Sequence, residues 1–178
     1  MNTYHLRLND VDDFVPQFAE KLGIGFKSNL GEFTVNIPSD IGSGKVACVN
    51  FPNGIGLYTF NFTFHDDTCL RIYHPSVNPI RFIYCVEGTL NAYFKDEKSC
   101  ELKNHQHLIA ATTANGTQCF QFNAGEKVRI CYLEVNRRKF QSYLSFELHE
   151  IEENYFRLAW KSRRFINRSG EHHQYFCR

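Results

Sequence analysis

Short runs of β-favouring residues, separated by turn residues, occupy most of the chain from residue 45 to residue 136. The runs are rich in Val, Ile, Phe, Tyr and Thr, whose side chains suit a pleated, half-buried surface. Gly, Pro, Asn and Asp mark most of the breaks. Many short strands at such regular spacing predict a β-sandwich or a β-barrel. The predicted strands are 45–51, 55–65, 68–74, 80–87, 89–95, 99–103, 107–112, 117–123 and 127–136.

The segment before these strands carries a helical pattern and one further strand. Apolar residues recur at helical spacing over residues 10–22, which predicts a helix there. Asp10 is a suitable cap, and Pro16 means either that the helix bends or that it starts late, with Pro16 in its first turn. Alternation over residues 32–37 predicts a strand.

The hydrophobic period changes again after residue 136. Phe140, Tyr143, Leu144 and Leu148 fit one side of a helix, and a second helix is predicted from Ile151 onwards. The pattern therefore divides the chain into an N-terminal helix and arm (1–43), a β-barrel (44–136) and a C-terminal helical segment (137–178).

Composition supports a single folded domain. The chain has 178 residues, of which 43% are hydrophobic, and its formal net charge is only +1. So small a charge argues against a protein that binds polyanions over its whole surface. No run approaches the ~18 apolar residues of a membrane span, and the N-terminus has no apolar signal core. We therefore expect a soluble, cytoplasmic protein without a membrane partner.

Seven cysteines are scattered singly, with no Cys-x-x-Cys pair. The number is odd, and most lie in apolar strands, where cysteine acts as a small hydrophobic residue. These features predict reduced thiols in a cytosolic protein.

Candidate catalytic groups are few. His105 and His107 would face the same side of a strand, as two metal ligands do, but no third ligand is near them in sequence. The chain has no Gly-x-Ser-x-Gly elbow, and no cysteine is flanked by residues that would activate it. The sequence therefore predicts no enzyme, no metal site and no cofactor.

Three arginines stand in otherwise apolar strands: Arg71, Arg81 and Arg129. They either project outward from half-exposed strands, or one of them clamps an anionic ligand inside the barrel beside a carboxylate partner. Tyrosines have an apolar body and a polar tip, which suits the lining of the same cavity. The candidate tyrosines are Tyr58, Tyr73, Tyr84, Tyr93 and Tyr132.

Three stretches occur in an order that is similar to a known family. They are residues 37–44, residues 51–57 and residues 79–88, the last followed by the strand at 90–94. In this order they resemble the sensor domain of AraC/XylS-type bacterial transcriptional regulators. The resemblance implies a mainly β fold, a cupin-like (jelly-roll) β-barrel with an N-terminal helix and two C-terminal helices. It also implies a homodimer contact through the C-terminal helices, with Tyr155, Leu158, Trp160 and Phe165 as candidates.

Metal-using cupin enzymes resemble the barrel as well, but their metal ligands are missing. Counting back from Gly88 places Arg81 where those enzymes have a Glu, and only His74 survives at a histidine position. One imidazole cannot hold a catalytic metal. His74 therefore joins the candidate ligand-binding residues, and the comparison favours a binding module.

The expected function is a ligand-sensing and dimerisation domain of a bacterial transcriptional regulator. Its effector would be a small molecule, and DNA would be contacted only through a helix-turn-helix domain absent from this chain. The alternatives are a small cupin enzyme acting on a sugar or carboxylate, using His105 and His107 with a metal, and a free-standing carbohydrate-binding module.

Overall fold

The computed structural model describes residues 1–75, 79–94, 99–111 and 115–141. A short 3-10 helix spans Val11–Asp13, α1 spans Phe14–Lys21, and residues 137–141 open a further helix. The strands of these parts of the chain are β1 (Asn2–Arg7), β2 (Lys27–Asn29), β3 (Glu32–Asn36), β4 (Gly42–Phe51), β5 (Ile55–Phe64), β6 (Thr68–His74), β7 (Pro79–Glu87), β8 (Leu90–Phe94), β9 (Ser99–Leu102), β10 (His107–Ala111), β11 (Gly116–Phe122) and β12 (Lys127–Asn136).

The strands form two sheets. One has the order β1-β6-β11-β8-β9 and the other has the order β10-β7-β12-β5-β4-β3-β2. All neighbours are antiparallel except β1 and β6, which run parallel. In the described residues the strands do not close into one barrel, so the predicted barrel is corrected to an open arrangement of two sheets. The mainly β class is confirmed.

Aromatic side chains fill much of the space between the sheets. On β5, Tyr58, Phe60, Phe62 and Phe64 alternate inward and are almost fully buried. Phe122 on β11 contacts Phe60 and Phe62 edge to face, across the gap between the sheets. Burying each large apolar side chain stabilises the fold by about 1.5–3 kcal/mol. This aromatic core holds the two sheets face to face.

The N-terminal helix follows the later of the two predicted starts. Asp10 accepts a hydrogen bond from the Val11 N–H at 2.8 Å and forms a capping box with Asp13. Pro16 then lies in the first turn of α1, where a missing N–H does little harm. No described helix is long and apolar enough to cross a membrane.

The predicted strands from residue 45 onwards match β4 to β12, with ends that differ by at most three residues. Residues 1–43, expected to form an arm and a helix, also supply β1 to the smaller sheet and β2 and β3 to the larger one. The boundary predicted at residue 43 therefore falls inside a sheet. Of the two predicted C-terminal helices, only residues 137–141 are within the described range.

One cysteine pair departs from the predicted reduced thiols. Cys69 on β6 and Cys119 on β11 form a disulfide, with their Cα atoms 6.2 Å apart. The two strands are neighbours in the five-stranded sheet, a relation that sequence spacing did not reveal. Cys48, Cys85 and Cys131 keep their thiols.

Gly88 makes the turn from β7 to β8 possible. Its φ is +86°, and a Cβ added there would lie 2.3 Å from the carbonyl oxygen of Lys127 on β12. Gly125 has a similar φ of +70°, but a Cβ there would meet nothing within 4 Å. The two positions separate the effect of backbone conformation from the effect of crowding.

We expect Gly88→Ala to destabilise the protein more than Gly125→Ala. The left-handed conformation costs about 1–2 kcal/mol at either position, and crowding adds about 1–3 kcal/mol at Gly88 alone. Urea unfolding of the two variants measures the difference. Equal losses of unfolding free energy would show that the backbone of β12 yields freely at this turn.

Candidate functional site

A cluster of four polar side chains lies between the two sheets. Arg81 faces inward from β7, and its register partner on β12 is Glu134. Gln118 on β11 and His74 on β6 face inward from the opposite sheet. We refer to His74, Arg81, Gln118 and Glu134 as the interior polar cluster. It joins the sheets by polar contacts in an otherwise apolar core.

The guanidinium of Arg81 binds the other three members of the cluster. Nε donates to Glu134 Oε2 at 2.6 Å, and Nη1 donates to Gln118 Oε1 at 2.6 Å. Nη2 donates to Nε2 of His74. Arg81 is fully buried and Glu134 is only 1% exposed. A buried charge of this kind is tolerated only with a partner, which here is the Glu134 carboxylate.

Several polar atoms of the site have no hydrogen-bond partner within the described structure. They are Nε2 of Gln118, Oε1 of Glu134 and the hydroxyl of Tyr132. Leaving such an atom buried and unpaired costs about 1–3 kcal/mol. The set contains a donor in Gln118, an acceptor in Glu134, and a hydroxyl that can do both. These atoms match a small polar guest or an ordered water.

His74 is neutral in the folded protein. Burial, and next the positive charge of Arg81, lower the pKa of His74 to about 2, and a hydrogen bond with the backbone of Leu8 opposes this shift. The neutral ring accepts the Arg81 hydrogen bond through Nε2. Because Arg81 and Glu134 balance each other, the interior polar cluster carries no net charge.

Two stacked tyrosines adjoin the cluster. The rings of Tyr58 and Tyr132 lie 4.3 Å apart, nearly parallel. Tyr58 donates to the carbonyl oxygen of Val11 at 2.6 Å, whereas the Tyr132 hydroxyl lies near Arg81 without a hydrogen bond of normal geometry. Burial, and next the charge of Glu134, raise the pKa of both phenols well above the usual value. Both hydroxyls are therefore protonated at neutral pH.

The thiol of Cys48 faces the same region. Its Sγ donates to Oδ1 of Asn50 at 2.9 Å. Burial raises the pKa of Cys48 to about 12, despite an opposing effect from Tyr58. The thiol is therefore protonated at neutral pH and is a poor nucleophile.

Four of the nine predicted ligand-binding residues lie inside the sandwich: Tyr58, His74, Arg81 and Tyr132. Of the two alternatives for the arginines, an inward position beside a carboxylate describes Arg81. The outward position describes Arg71 and Arg129.

The other five predicted residues lie on outer surfaces, so the structure does not place them in a shared cavity. Strand alternation turns Arg71 and Tyr73 outward because His74 and Ile72 face inward. Arg129 lies 3.7 Å from the carboxylate of Glu87 at the surface. Tyr84 and Tyr93 are exposed, and the Tyr84 hydroxyl lies 3.2 Å from Nδ1 of His105.

Sequence reasoning missed Glu134 and Gln118. The available signal was strand alternation: Ile130, Tyr132 and Glu134 are spaced by two, and so are Gln118 and Phe120. A polar residue in phase with buried aromatics indicates an inward position. This signal also identifies the carboxylate partner that a buried Arg81 requires.

The histidines of the alternative metal site lie away from the cluster. His105 adopts a positive φ of 65° in the β9–β10 turn, and both His105 and His107 are exposed. Within the described ranges, no group of three His, Cys, Asp or Glu residues is arranged to hold a metal ion. The absence of a metal centre remains a prediction.

Comparison with known proteins gives similarity to solved structures alone. The sequence matches no protein-family model and no curated protein. An HTH_3 family transcriptional regulator from Vibrio cholerae is 18% identical over 51% of this chain and 50% of its own length, with a TM-score of 0.39. This chain thus spans half of that protein.

Two further structures are cupins. The cupin domain of an XRE family transcriptional regulator from Enterobacter cloacae is 12% identical over 51% of this chain and 93% of its own, with a TM-score of 0.41. An RmlC-like cupin protein from Desulfovibrio desulfuricans is 13% identical over 57% and 89%, with a TM-score of 0.41. These TM-scores lie below 0.5, so the similarities carry no weight for family or function.

We expect Glu134→Ala to destabilise the protein by about 3–5 kcal/mol, because it leaves the buried Arg81 charge without a partner. The double variant Arg81→Met, Glu134→Leu should be markedly more stable than Glu134→Ala. Urea unfolding measures both. Glu87→Ala, which removes a surface partner of Lys127, is the control and should cost about 0–1 kcal/mol. A loss at Glu134 as small as that at Glu87 would contradict a dry, buried ion pair.

His74 should make the protein less stable as the pH falls below about 6.5. In the unfolded chain the histidine binds a proton near its ordinary pKa, whereas in the folded protein it stays neutral down to about pH 2. Between these two pKa values the unfolded state binds more protons than the folded state. The free energy of unfolding therefore decreases by about 1.4 kcal/mol for each unit by which the pH falls.

Urea unfolding between pH 5 and pH 7 tests this dependence. In His74→Gln, whose amide oxygen can still accept from Arg81, the slope should be smaller by that amount. His107→Gln, at an exposed site, should keep the wild-type slope. Identical slopes for wild type and His74→Gln would mean that His74 is protonated in the folded protein.

Proposed function

We propose that this chain is a ligand-sensing and dimerisation domain of a bacterial transcriptional regulator of the AraC/XylS type. In this proposal a small-molecule effector binds between the two sheets, and DNA is contacted by a separate domain. The proposal includes a cytoplasmic location and a homodimer. The predicted dimer residues Tyr155, Leu158, Trp160 and Phe165 lie outside the described residues.

The observation that carries the proposal is the incomplete hydrogen bonding of the interior polar cluster and its neighbour Tyr132. Purely structural polar clusters satisfy their buried atoms, because each unpaired atom costs stability. Here Gln118 Nε2, Glu134 Oε1 and the Tyr132 hydroxyl remain unpaired at one site. A ligand that accepts from Gln118 and donates to Glu134 would recover that cost on binding.

The charge of the site supports a neutral, hydroxyl-bearing effector. A clamp for an anion needs an uncompensated cation, but Arg81 is already paired with Glu134 at 2.6 Å. A second anion beside Glu134 would be repelled and would also lose its hydration. A sugar or polyol offers donors and acceptors without charge, which suits the three unpaired atoms.

The protonation states favour binding over catalysis. The Cys48 thiol and the two tyrosine hydroxyls are protonated at neutral pH, and the Arg81 contact occupies Nε2 of His74. A nucleophile or a general base must be able to exchange its proton near the working pH. These groups instead offer fixed hydrogen-bonding positions, which is what a sensor needs.

Thermal shift measurements on matched tyrosine variants test the proposal. Glycerol, myo-inositol, arabinose and glucose provide neutral probes, and acetate and phosphate provide anionic ones. At a hundredfold excess over Kd a ligand adds about 2.7 kcal/mol to stability, which corresponds to a rise in Tm of about 5–10 °C. We expect such a rise with at least one neutral probe, and a smaller rise in Tyr132→Phe.

Tyr58→Phe is the matched control, because its hydroxyl is bound to Val11 and is not available to a ligand. It should lose about 1 kcal/mol of stability without ligand but keep the ligand-induced rise, whereas unliganded Tyr132→Phe should lose nothing. A rise with the anions alone contradicts a neutral effector. No rise with any probe contradicts the sensor proposal and leaves the cluster a structural feature.

A further inference from the structure

The Cys69–Cys119 disulfide lies on the outer face of the smaller sheet. On β6, Leu70 and Ile72 face the interior, so Cys69 and Arg71 face outward. The same alternation on β11 turns Cys119 outward. Cys69 is only 1% exposed, whereas Cys119 is partly exposed. A molecule in solution therefore reaches the bond from the side of Cys119.

The two cysteines occupy diagonal positions in a regular pair of strands. Cys69 is opposite Gln121 and Cys119 is opposite Arg71, within seven consecutive register pairs. The backbone hydrogen bonds of these pairs and the apolar side chains on the inner face do not depend on the disulfide. We therefore expect that the bond can open while the sandwich stays folded.

Arg71 places a positive charge beside the bond. Opposite residues on one face have Cβ atoms about 4.5–5.5 Å apart, which is the relation of Arg71 to Cys119. Among the described residues Arg71 has no ion-pair partner. In the two rows of register partners that contain the cysteines, the nearest carboxylate is Glu101, three strands or about 14 Å from Cys69, and it is paired with Lys103 at 3.0 Å. A cation beside a sulfur stabilises a thiolate there and attracts an anionic reactant.

Cys131 provides an internal comparison on the outer face of the larger sheet. It is also partly exposed and faces outward, because Ile130 and Tyr132 face the interior. Its register partners are Tyr84 and Thr59, neither of which is a cation. Burial raises the pKa of the Cys131 thiol. Cys131 thus resembles Cys119 in position but lacks the adjacent cation.

We propose that Cys69 and Cys119 form a reversible exchange site for a small anionic thiol. In the reduction, the thiolate of the small thiol attacks Sγ of Cys119, the S–S bond breaks, and Cys69 leaves as a thiolate that takes a proton. A second small thiol then attacks its counterpart in the mixed disulfide, and Cys119 leaves and takes a proton. Two small thiols become one small disulfide, and two electrons and two protons pass to the protein. The reverse sequence, with the small disulfide as oxidant, restores the bond.

The biological use of this exchange rests on the cytoplasmic location included in the proposed function. Disulfides in a reducing compartment are usually transient and serve catalysis or redox sensing. The exchange chemistry itself depends neither on that location nor on the proposed effector. The exchange measurements below and the thermal shift measurements can therefore fail separately.

Exchange in the folded wild-type protein is the first test. The oxidised full chain is incubated with 2-mercaptoethanesulfonate, which is anionic, or with cysteamine, which is cationic, and the reaction is stopped with excess N-ethylmaleimide in urea. Mass spectrometry gives the labelled fraction at each cysteine, and near-ultraviolet circular dichroism follows folding during the incubation. We expect Cys69 and Cys119 to become labelled together while the spectrum stays that of the folded protein. A bond that opens only after urea unfolds the protein would be a purely structural link and would overturn the proposal.

Arg71→Met tests the preference for an anionic thiol. The rate constant with 2-mercaptoethanesulfonate is divided by that with cysteamine, so that the intrinsic reactivities of the two thiols cancel when proteins are compared. We expect this ratio to fall at least threefold in Arg71→Met. Arg129→Met, which removes a cation from the outer surface of the larger sheet, is the control and should keep the wild-type ratio. A ratio unchanged in Arg71→Met would contradict the preference.

Single-cysteine variants identify the reactive sulfur. When Cys69→Ser is incubated with the disulfide of 2-mercaptoethanesulfonate, Cys119 should form a mixed disulfide at least fivefold faster than Cys131 in the same molecules. In Cys119→Ser, the buried Cys69 should stay almost unmodified. Modification of Cys119 no faster than that of Cys131, or modification of Cys69 as fast as that of Cys119, would overturn the assignment.

Discussion

The alignment of Arg81 with Glu134 fixes the register of two neighbouring strands of the larger sheet, β7 and β12. On β7 the inward positions Ile83 and Cys85 alternate with the outward Phe82 and Tyr84, so both faces are apolar. Hydrophobicity alone then specifies register weakly, because a slip of one residue exchanges one apolar face for another. The same slip would separate the buried guanidinium from its carboxylate, at a cost of about 3–5 kcal/mol. The ion pair is therefore a device of specificity as well as of stability.

This constraint explains why the interior combines two kinds of packing. Aromatic side chains such as Phe60 and Phe122 fill one part of the space between the sheets and give most of the stabilisation by burial. The interior polar cluster supplies direction, because Arg81 reaches Gln118 and His74 on the opposite sheet only in one arrangement. A core held by aromatic contacts alone would tolerate small shifts of one sheet over the other. The polar contacts remove that freedom and preorganise the unpaired atoms beside them.

The strands could be predicted from the sequence because turn residues such as Gly88 and Gly125 punctuate runs of period two. The residues that line the interior were not predicted, because candidates were chosen by residue type and not by whether they alternate in phase with the buried positions of their strand. Tyr84 and Tyr93 have the chemistry of lining residues but stand out of phase with the buried positions. Glu134 has the chemistry of a surface residue but stands in phase with Tyr132. The Cys69–Cys119 disulfide depends on strand pairing over 50 residues, which no local pattern contains.

Strand β12 joins the proposed effector site to the outer surface of the larger sheet. Glu134 faces the interior, while its neighbours Leu133 and Val135 face outward. An effector shifts the protein between two arrangements only if it binds one of them more tightly than the other, and a tenfold shift needs about 1.4 kcal/mol of differential affinity. One hydrogen bond to a buried atom, gained in one arrangement and absent in the other, provides about that much. The unpaired carboxylate oxygen of Glu134 belongs to the residue between the outward-facing Leu133 and Val135, so such a bond would act on the strand that has both an inner and an outer surface.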